Sequence, residues 1–166
     1  MLNLISLNAA TALTERSKRT LWRRLEDGTL ARGPDDAQGR TMVDLHALLP
    51  FMVAPLNEND LRGIQTADAG DAQAQTDAAV LFLQASRPVA ALYWLELAAK
   101  QDQAEAMYWL GRLHFDETLS ASGVPQDFNV GMIWLAKAAA QGHCIALAQM
   151  QALRAKFDRP SSSVTA

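Results

Sequence analysis

Two segments of this chain repeat each other, and this internal repeat constrains the fold more than any other feature of the sequence. Residues 94–101 and 134–141 share Trp, Leu, Ala, Ala and Gln at equivalent positions, 40 residues apart. The pattern Ala-x-Ala at 104–106 returns as Cys-x-Ala at 144–146, and an earlier copy stands at 72–74. Self-similarity with a period of about 20–50 residues is typical of solenoids, in which each unit buries its apolar face only against its neighbours.

The repeated residues predict a stack of helical hairpins. Small alanines let two helices approach closely, and we expect Trp94 and Trp134 to fill the gaps between hairpins. Because the first interval is shorter than the second, we place an insertion in the loop 117–126. Pro88 and Asp127 are helix-start signals. The predicted helices span residues 60–68, 72–84, 88–101, 104–116, 127–141 and 144–157.

The most complete copy spans residues 104–142, whereas the units at 72–102 and 144–157 are degenerate and the last is half a unit. Its signature residues are Leu110-Gly111, Gly123-Val124, Asp127, Trp134, Ala138-Ala139 and Gly142. This pattern resembles the Sel1-like repeats, a group of tetratricopeptide-like units. The resemblance implies an α-solenoid that binds other proteins and has no chemistry of its own. Candidate contacts between the core positions are Glu96, Lys100, Gln103, Arg112 and Lys137.

The first third of the chain has a different composition. Although the formal net charge is −3, residues 1–56 carry seven basic and six acidic side chains, and five of those bases lie within residues 16–24. Residues 57–166 carry eight basic and twelve acidic side chains and most of the alanine. A uniformly basic nucleic-acid binder is therefore excluded, whereas a locally basic one is not. The predicted organisation is a first module at 1–54, a linker at 55–59, repeats at 60–158 and a disordered tail at 159–166.

A short helix, a tight turn and a second short helix are predicted near the start of the chain. Ser6 can cap a helix over residues 7–13, and Ser17 can cap a second helix over residues 18–26. Gly28 stands where a left-handed C-terminal cap is wanted. This succession indicates a helix-turn-helix.

The second helix has two distinct faces at 100° per residue. Leu21, Trp22 and Leu25 fall within one arc, and we expect them to face the core. Exposed arginines can donate paired hydrogen bonds to guanine or contact phosphates, so the opposite face suits the major groove of DNA. A solvated charged face is the alternative interpretation. The residues on that face are Arg19, Thr20, Arg23 and Arg24.

A two-stranded wing and a third helix are predicted to follow. Strands at 29–31 and 39–43 enclose a polar loop at 32–38. Asp44 can cap a helix over residues 45–52. The residues expected on its inner side are Leu45, Leu48 and Leu49.

Five short motifs in residues 3–52 are Ala9-Ala10, Arg19-Thr20-Leu21, Asp27-Gly28, Gly39-Arg40 and Asp44-Leu45. Together they resemble the winged helix-turn-helix of the MerR and excisionase-like families, whose recognition helix enters the major groove while the wing contacts the backbone. The acidic pair Asp35-Asp36 departs from this pattern because it repels phosphate, which keeps a protein-binding module as the alternative. The resemblance implies DNA contacts by Arg16, Ser17, Lys18, Arg19, Thr20, Arg23, Arg24, Arg32 and Arg40.

No residue pattern indicates an enzyme, a metal site or a cofactor. Cys144 is the single cysteine, so a disulfide within the chain is excluded, and its alignment with Ala104 predicts a buried small side chain. The three histidines lack metal-ligand spacing, and neither a phosphate-binding loop nor Gly-x-Ser-x-Gly occurs. This sequence contains no secretory signal and no apolar run of about 20 residues, so we expect a cytoplasmic protein without a membrane span.

The sequence supports two functional hypotheses. The first is a mainly α-helical, DNA-binding transcriptional regulator, in which a small winged helix-turn-helix precedes a short α-solenoid that binds a protein partner or self-associates. A homodimer on paired half-sites is expected, because one small module gives modest affinity. The second is a protein-interaction adaptor or scaffold without DNA binding. An enzyme is a third interpretation, supported only by the concave face of a solenoid.

Overall fold

The structure is a computed structural model that describes residues 3–115 and 123–157. The predicted tail and residues 117–122 of the predicted insertion lie outside the described residues. The described chain is mainly helical. Its elements are β1 (Leu4–Ser6), α1 (Leu7–Thr14), α2 (Lys18–Glu26), β2 (Met42–Asp44), α3 (Leu45–Leu48), a 3₁₀ turn (Leu49–Phe51), α4 (Glu58–Asp68), α5 (Ala72–Gln84), α6 (Pro88–Ala99), α7 (Ala104–Phe115), α8 (Phe128–Ala140) and α9 (Cys144–Phe157).

The N-terminal unit, residues 3–54, is organised around a small antiparallel sheet. β1 pairs with β2 so that Ile5 lies opposite Val43, and both side chains are fully buried. β1 was not predicted, and the predicted first wing strand is reduced to a single bridge between Arg32 and Val43. The reason is that β2 pairs on both edges, and three residues of β1 gain strand structure only from a partner far along the chain.

The helix starts of this unit follow the predicted caps. The Ser6 hydroxyl accepts a hydrogen bond from the Ala9 amide at 3.2 Å, and the Ser17 hydroxyl accepts one from the Thr20 amide at 3.1 Å. Each contact satisfies one backbone donor that has no partner within the helix. Between the two helices, Glu15 adopts a left-handed conformation with φ of 48° and makes the turn tight.

The third helix is shorter than predicted. α3 ends at Leu48, and a 3₁₀ turn replaces the rest of the predicted helix, because Pro50 has no amide hydrogen to donate to a further α-helical turn. Leu45 and Leu48 are fully buried, as expected. Leu49 is 40% exposed, so its predicted inner position is wrong.

The repeat region forms two hairpins between two single helices. α5 with α6 is the first hairpin and α7 with α8 is the second, while α4 precedes them and α9 follows. The helices of the second hairpin approach so closely that a Cβ atom on Gly111 would lie 3.2 Å from the Gly131 carbonyl oxygen. Asp71 and Asp127 cap α5 and α8. The predicted short α-solenoid is confirmed.

The N-terminal unit and the repeats share one apolar core. The buried cluster runs without interruption from Ile5 in β1 to Ala146 in α9. α1 packs against α6, and β1 packs against α4. Trp94 and Phe82 are the largest fully buried side chains. The two predicted modules are therefore packed together in the folded chain.

Two core predictions at the end of the stack need correction. Trp94 is fully buried as expected, but its repeat equivalent Trp134 is only partly buried. Cys144 is exposed, so its predicted burial is wrong. Both side chains lie on the last helices of the described stack, where no further hairpin covers them.

The apolar content of the helices was also compared with the length of a bilayer. Within the described ranges no single helix is both long enough and apolar enough to cross a membrane. The pair formed by α8 and residues 144–155 of α9 passes the same test jointly, with a bend of 118° between its members.

Candidate functional site

The outer face of α2 presents two exposed arginines. Arg19 and Arg23 project from a helix whose inner residue Leu21 is 1% exposed. Neither arginine forms a salt bridge among the residues that the structure describes. The shallow groove beside them is lined by Arg19, Thr20, Trp22, Arg23 and Glu26.

Three further bases around α2 are in contact with neighbouring side chains. The Arg24 guanidinium lies 4.1 Å from the centre of the Phe51 ring, and the Arg16 guanidinium lies 5.2 Å from the same centre. The Lys18 ammonium donates a hydrogen bond to the Asn8 side-chain oxygen at 3.1 Å. Stacking on an aromatic ring orders a guanidinium without neutralising it. These three positive charges therefore remain at the edge of the α2 face.

The two predicted hydroxyl contacts serve the helix itself. The side-chain oxygens of Ser17 and Thr20 lie 2.8 Å apart, and Ser17 also caps the helix. Their hydrogen bonds stabilise the start of α2, which fixes the direction in which the following arginines project.

The arginines of the predicted wing are paired with acidic side chains. Arg32 donates to Asp35 at 3.0 Å and lies 5.9 Å from the Trp22 ring centre. The Nε atom of Arg40 donates to Asp36 at 2.6 Å. The Arg40 backbone amide also donates to Asp36, which lowers the pKa of that carboxyl below its usual value. The wing is therefore close to neutral.

Arg40 also belongs to a buried polar cluster between the N-terminal unit and the repeats, which we call the junction cluster and define as Ser6, Arg40, Asp68 and Tyr93. The Asp68 carboxylate accepts from the Ser6 amide at 2.7 Å and from the Ser6 hydroxyl at 2.6 Å. Arg40 donates to the Asp68 carbonyl at 2.9 Å and to its carboxylate at 3.3 Å. Such charge-assisted bonds are stronger than neutral ones.

The environment of Tyr93 completes the junction cluster. Burial and the nearby Asp68 carboxylate raise the pKa of Tyr93 to about 12. Sequence reasoning missed this cluster because its members are up to 87 positions apart in the chain. One signal was present: Asp68 is the last residue of α4, where the helix dipole disfavours a carboxylate that has no donor partner.

The predicted protein contacts on the repeats do not form one patch. Glu96 is exposed, Gln103 donates to the Gln73 side chain at 2.9 Å, and Arg112 donates to the Tyr108 hydroxyl at 3.3 Å. Lys100 and Lys137 do come together, because both line a groove that also contains Trp134. The Lys137 ammonium lies 4.4 Å from the Trp134 ring centre.

A second polar contact that the sequence did not predict joins the end of the stack to α7. His143 lies 2.8 Å from the Glu105 carboxylate, and its ring stacks on Tyr108 with 4.4 Å between ring centres. The other ring nitrogen of His143 accepts from the Ala146 amide at 3.2 Å and caps α9. In the described part of the chain, no three His, Cys, Asp or Glu side chains are grouped as metal ligands would be.

Comparison with known proteins supports the repeat assignment. The family model of the Sel1 repeat matches residues 72–103 and 104–143, which are the two hairpins of the structure. The chain therefore carries two Sel1 repeats, which are protein-interaction units. No family match supports the resemblance of the N-terminal unit to MerR and excisionase modules. Searches of the curated proteins and of the solved structures returned no match.

Proposed function

We propose that this chain is a DNA-binding regulator whose N-terminal unit contacts DNA through α2 and whose Sel1 repeats bind a protein partner. The supporting observation is the α2 face, where Arg19 and Arg23 are exposed without a salt bridge in the described chain. A helix held by one buried leucine after a tight turn presents such residues in the manner that a major groove requires.

The proposed DNA surface is smaller than the set of residues predicted from the sequence. Arg19 and Arg23 are its centre because their donors are available for base edges or phosphates. Arg16, Lys18 and Arg24 lie at its edge and supply positive charge. We leave Arg40 out of this surface, because its guanidinium is engaged by Asp36 and Asp68.

The test is selection of DNA from a random library, followed by binding titrations of the purified chain at several salt concentrations. We expect Arg19→Ala/Arg23→Ala to weaken binding at least about tenfold and to reduce the slope of log K against log salt by about 2. Arg62→Ala is the matched control, because Arg62 is an exposed arginine on α4. Equal, salt-insensitive binding by all three proteins would contradict the proposal.

A second candidate function is a protein-interaction adaptor without DNA binding. The observation that favours it is the neutral wing, where Arg32 and Arg40 are paired with Asp35 and Asp36. Near the end of α2, hydrogen bonds from Thr29 also lower the pKa of Asp27, which keeps that carboxylate charged. The adaptor predicts that no DNA is selected from the library and that a protein captured by the chain is released by substitutions in the repeats.

A further inference from the structure

The last helix of the described stack is the first half of a hairpin. In the two matched repeats a first helix pairs with a second one, α5 with α6 and α7 with α8. α9 begins directly after the second repeat, 40 residues after the start of α7, and so occupies the position of a first helix. It packs against α8, but no described helix takes the position that α8 has beside α7.

The face of α9 that a second helix would cover is apolar and exposed. Leu147 is 39% exposed, whereas its equivalent Met107 in α7 is 4% exposed. Ile145 is 49% exposed, and Ala148 and Ala152 lie between these two aliphatic side chains at helical spacing, also exposed. A repeat that ends a solenoid in water needs a polar outer face. α9 lacks one, which indicates that this face is covered in solution.

The other end of the stack is already closed. α4 lies beside α5 as α6 lies beside α7, and the N-terminal unit covers it. The Gln65 side-chain amide donates to the Leu4 carbonyl at 3.3 Å, and Asp68 binds Ser6. A second copy therefore finds its complementary surface on α9 and not on α4. Contacts of unlike ends, which would build an open filament, are excluded by this asymmetry.

We propose that α9 of a second copy covers this face, so that the chain forms a two-fold symmetric dimer. Two copies of one helix that meet across a perpendicular two-fold axis run antiparallel, which is also how the helices of a hairpin meet. The exposed alanines allow close approach, and Leu147 and Ile145 pack at the borders of the contact. The dimer would place two α2 helices in one particle, but it does not depend on DNA binding.

The contact differs from a hairpin in one respect. Gly111, where α7 approaches α8 most closely, is replaced by Gln151 at the equivalent position of α9. The paired helices are therefore spaced more widely than α7 and α8. A helix of 14 residues is about 21 Å long and covers less than the ~800 Å² per partner of a standard interface. The dimer is consequently reversible, and dilution dissociates it.

Sedimentation velocity on the purified chain without DNA tests this proposal, at concentrations from about 1 to about 100 μM. The wild type is expected to change from monomer to dimer over this range, and Leu147→Asp is expected to stay monomeric. Leu49→Asp is the matched control, because Leu49 is 40% exposed in the N-terminal unit, and it should dimerise like the wild type.

Ala148→Glu is the second interface variant, in case Leu147→Asp fails to fold. It introduces a helix-forming residue at an exposed site and should also give a monomer. A wild type that is monomeric at the highest concentration overturns the proposal, as do open-ended oligomers or a dimer that both variants leave intact. Binding to phosphatidylcholine–phosphatidylglycerol vesicles by a monomeric wild type would assign the face to a membrane instead. Because no DNA is present, these outcomes are independent of the proposed regulatory function.

Discussion

The two ends of the repeat stack carry similar helices in opposite surroundings. α4, before the first hairpin, is covered by the N-terminal unit, and its last residue Asp68 is held by Ser6 and Arg40. α9, after the second hairpin, leaves Leu147 and Cys144 exposed. The difference teaches that a repeat sequence specifies a helix and its inner face, whereas the neighbour of the outer face has to come from elsewhere.

The same contrast separates the two equivalent tryptophans. Trp94 is completely buried, because the second hairpin stacks on the first. Trp134 occupies the same position of the next repeat and is partly exposed beneath Lys137. Residue identity is the same in both repeats, so the difference in burial measures the covering hairpin alone.

The largest expected effect tests this contrast between the tryptophans. Trp94→Ala should destabilise the chain by about 3–5 kcal/mol, because it leaves a large cavity in the core. Trp134→Ala should cost about 1–2 kcal/mol, because less apolar area is lost. Urea unfolding of both variants measures the free energies. Equal losses would mean that α9 or a partner covers Trp134 as fully as α7 and α8 cover Trp94.

The second effect concerns the closed end. Asp68→Asn should destabilise the chain by about 2–3 kcal/mol, because an amide oxygen cannot replace the buried carboxylate that accepts from Ser6 and Arg40. Asp77→Asn is the control, since Asp77 is exposed, and we expect a change below about 0.5 kcal/mol. If the two variants unfold at the same urea concentration, the junction cluster does not hold α4 to the N-terminal unit.

The third effect is a pH dependence at the same end. Tyr93 has a pKa of about 12 in the folded chain, above the ordinary value of 10.0, so the unfolded chain loses this proton first as the pH rises. Stability from the neutral phenol is complete below about pH 10 and is lost between pH 10 and 12. The thermal midpoint of the wild type should fall more steeply in this window than that of Tyr93→Phe. Parallel curves would exclude Tyr93 as the titrating group.

The smallest effect concerns the open end. Lys137→Gln removes the cation above the Trp134 ring and should cost about 0.5–1 kcal/mol. Lys100→Gln, in the same groove, is the control, and no stability change is expected there. Urea unfolding of both variants decides the point. A cost well above 1 kcal/mol would show that Lys137 has a further partner at this end.

Local signals predicted much of the fold. Ser6, Ser17 and Asp127 each cap a helix because a side-chain oxygen next to a helix start satisfies a backbone donor wherever the rest of the chain lies. Strand β1 and the exposure of Leu49 were not predicted, because both depend on residues far away in the chain. Of the candidate site, the arginine face of α2 could be read from helical spacing, whereas the pairing of Arg40 with Asp68 could not.

The sequence by itself determined the helices, their caps, the 40-residue repeat and the arginine face of α2, because these follow from periodicity and from contacts within a few residues. Only the tertiary structure decided which equivalent residues are buried, which arginines are neutralised and where the stack stays open. The physical reason is that burial and charge pairing depend on what lies opposite a side chain. For Asp68 that is Ser6 and Arg40, and for Leu147 no described residue supplies such a cover.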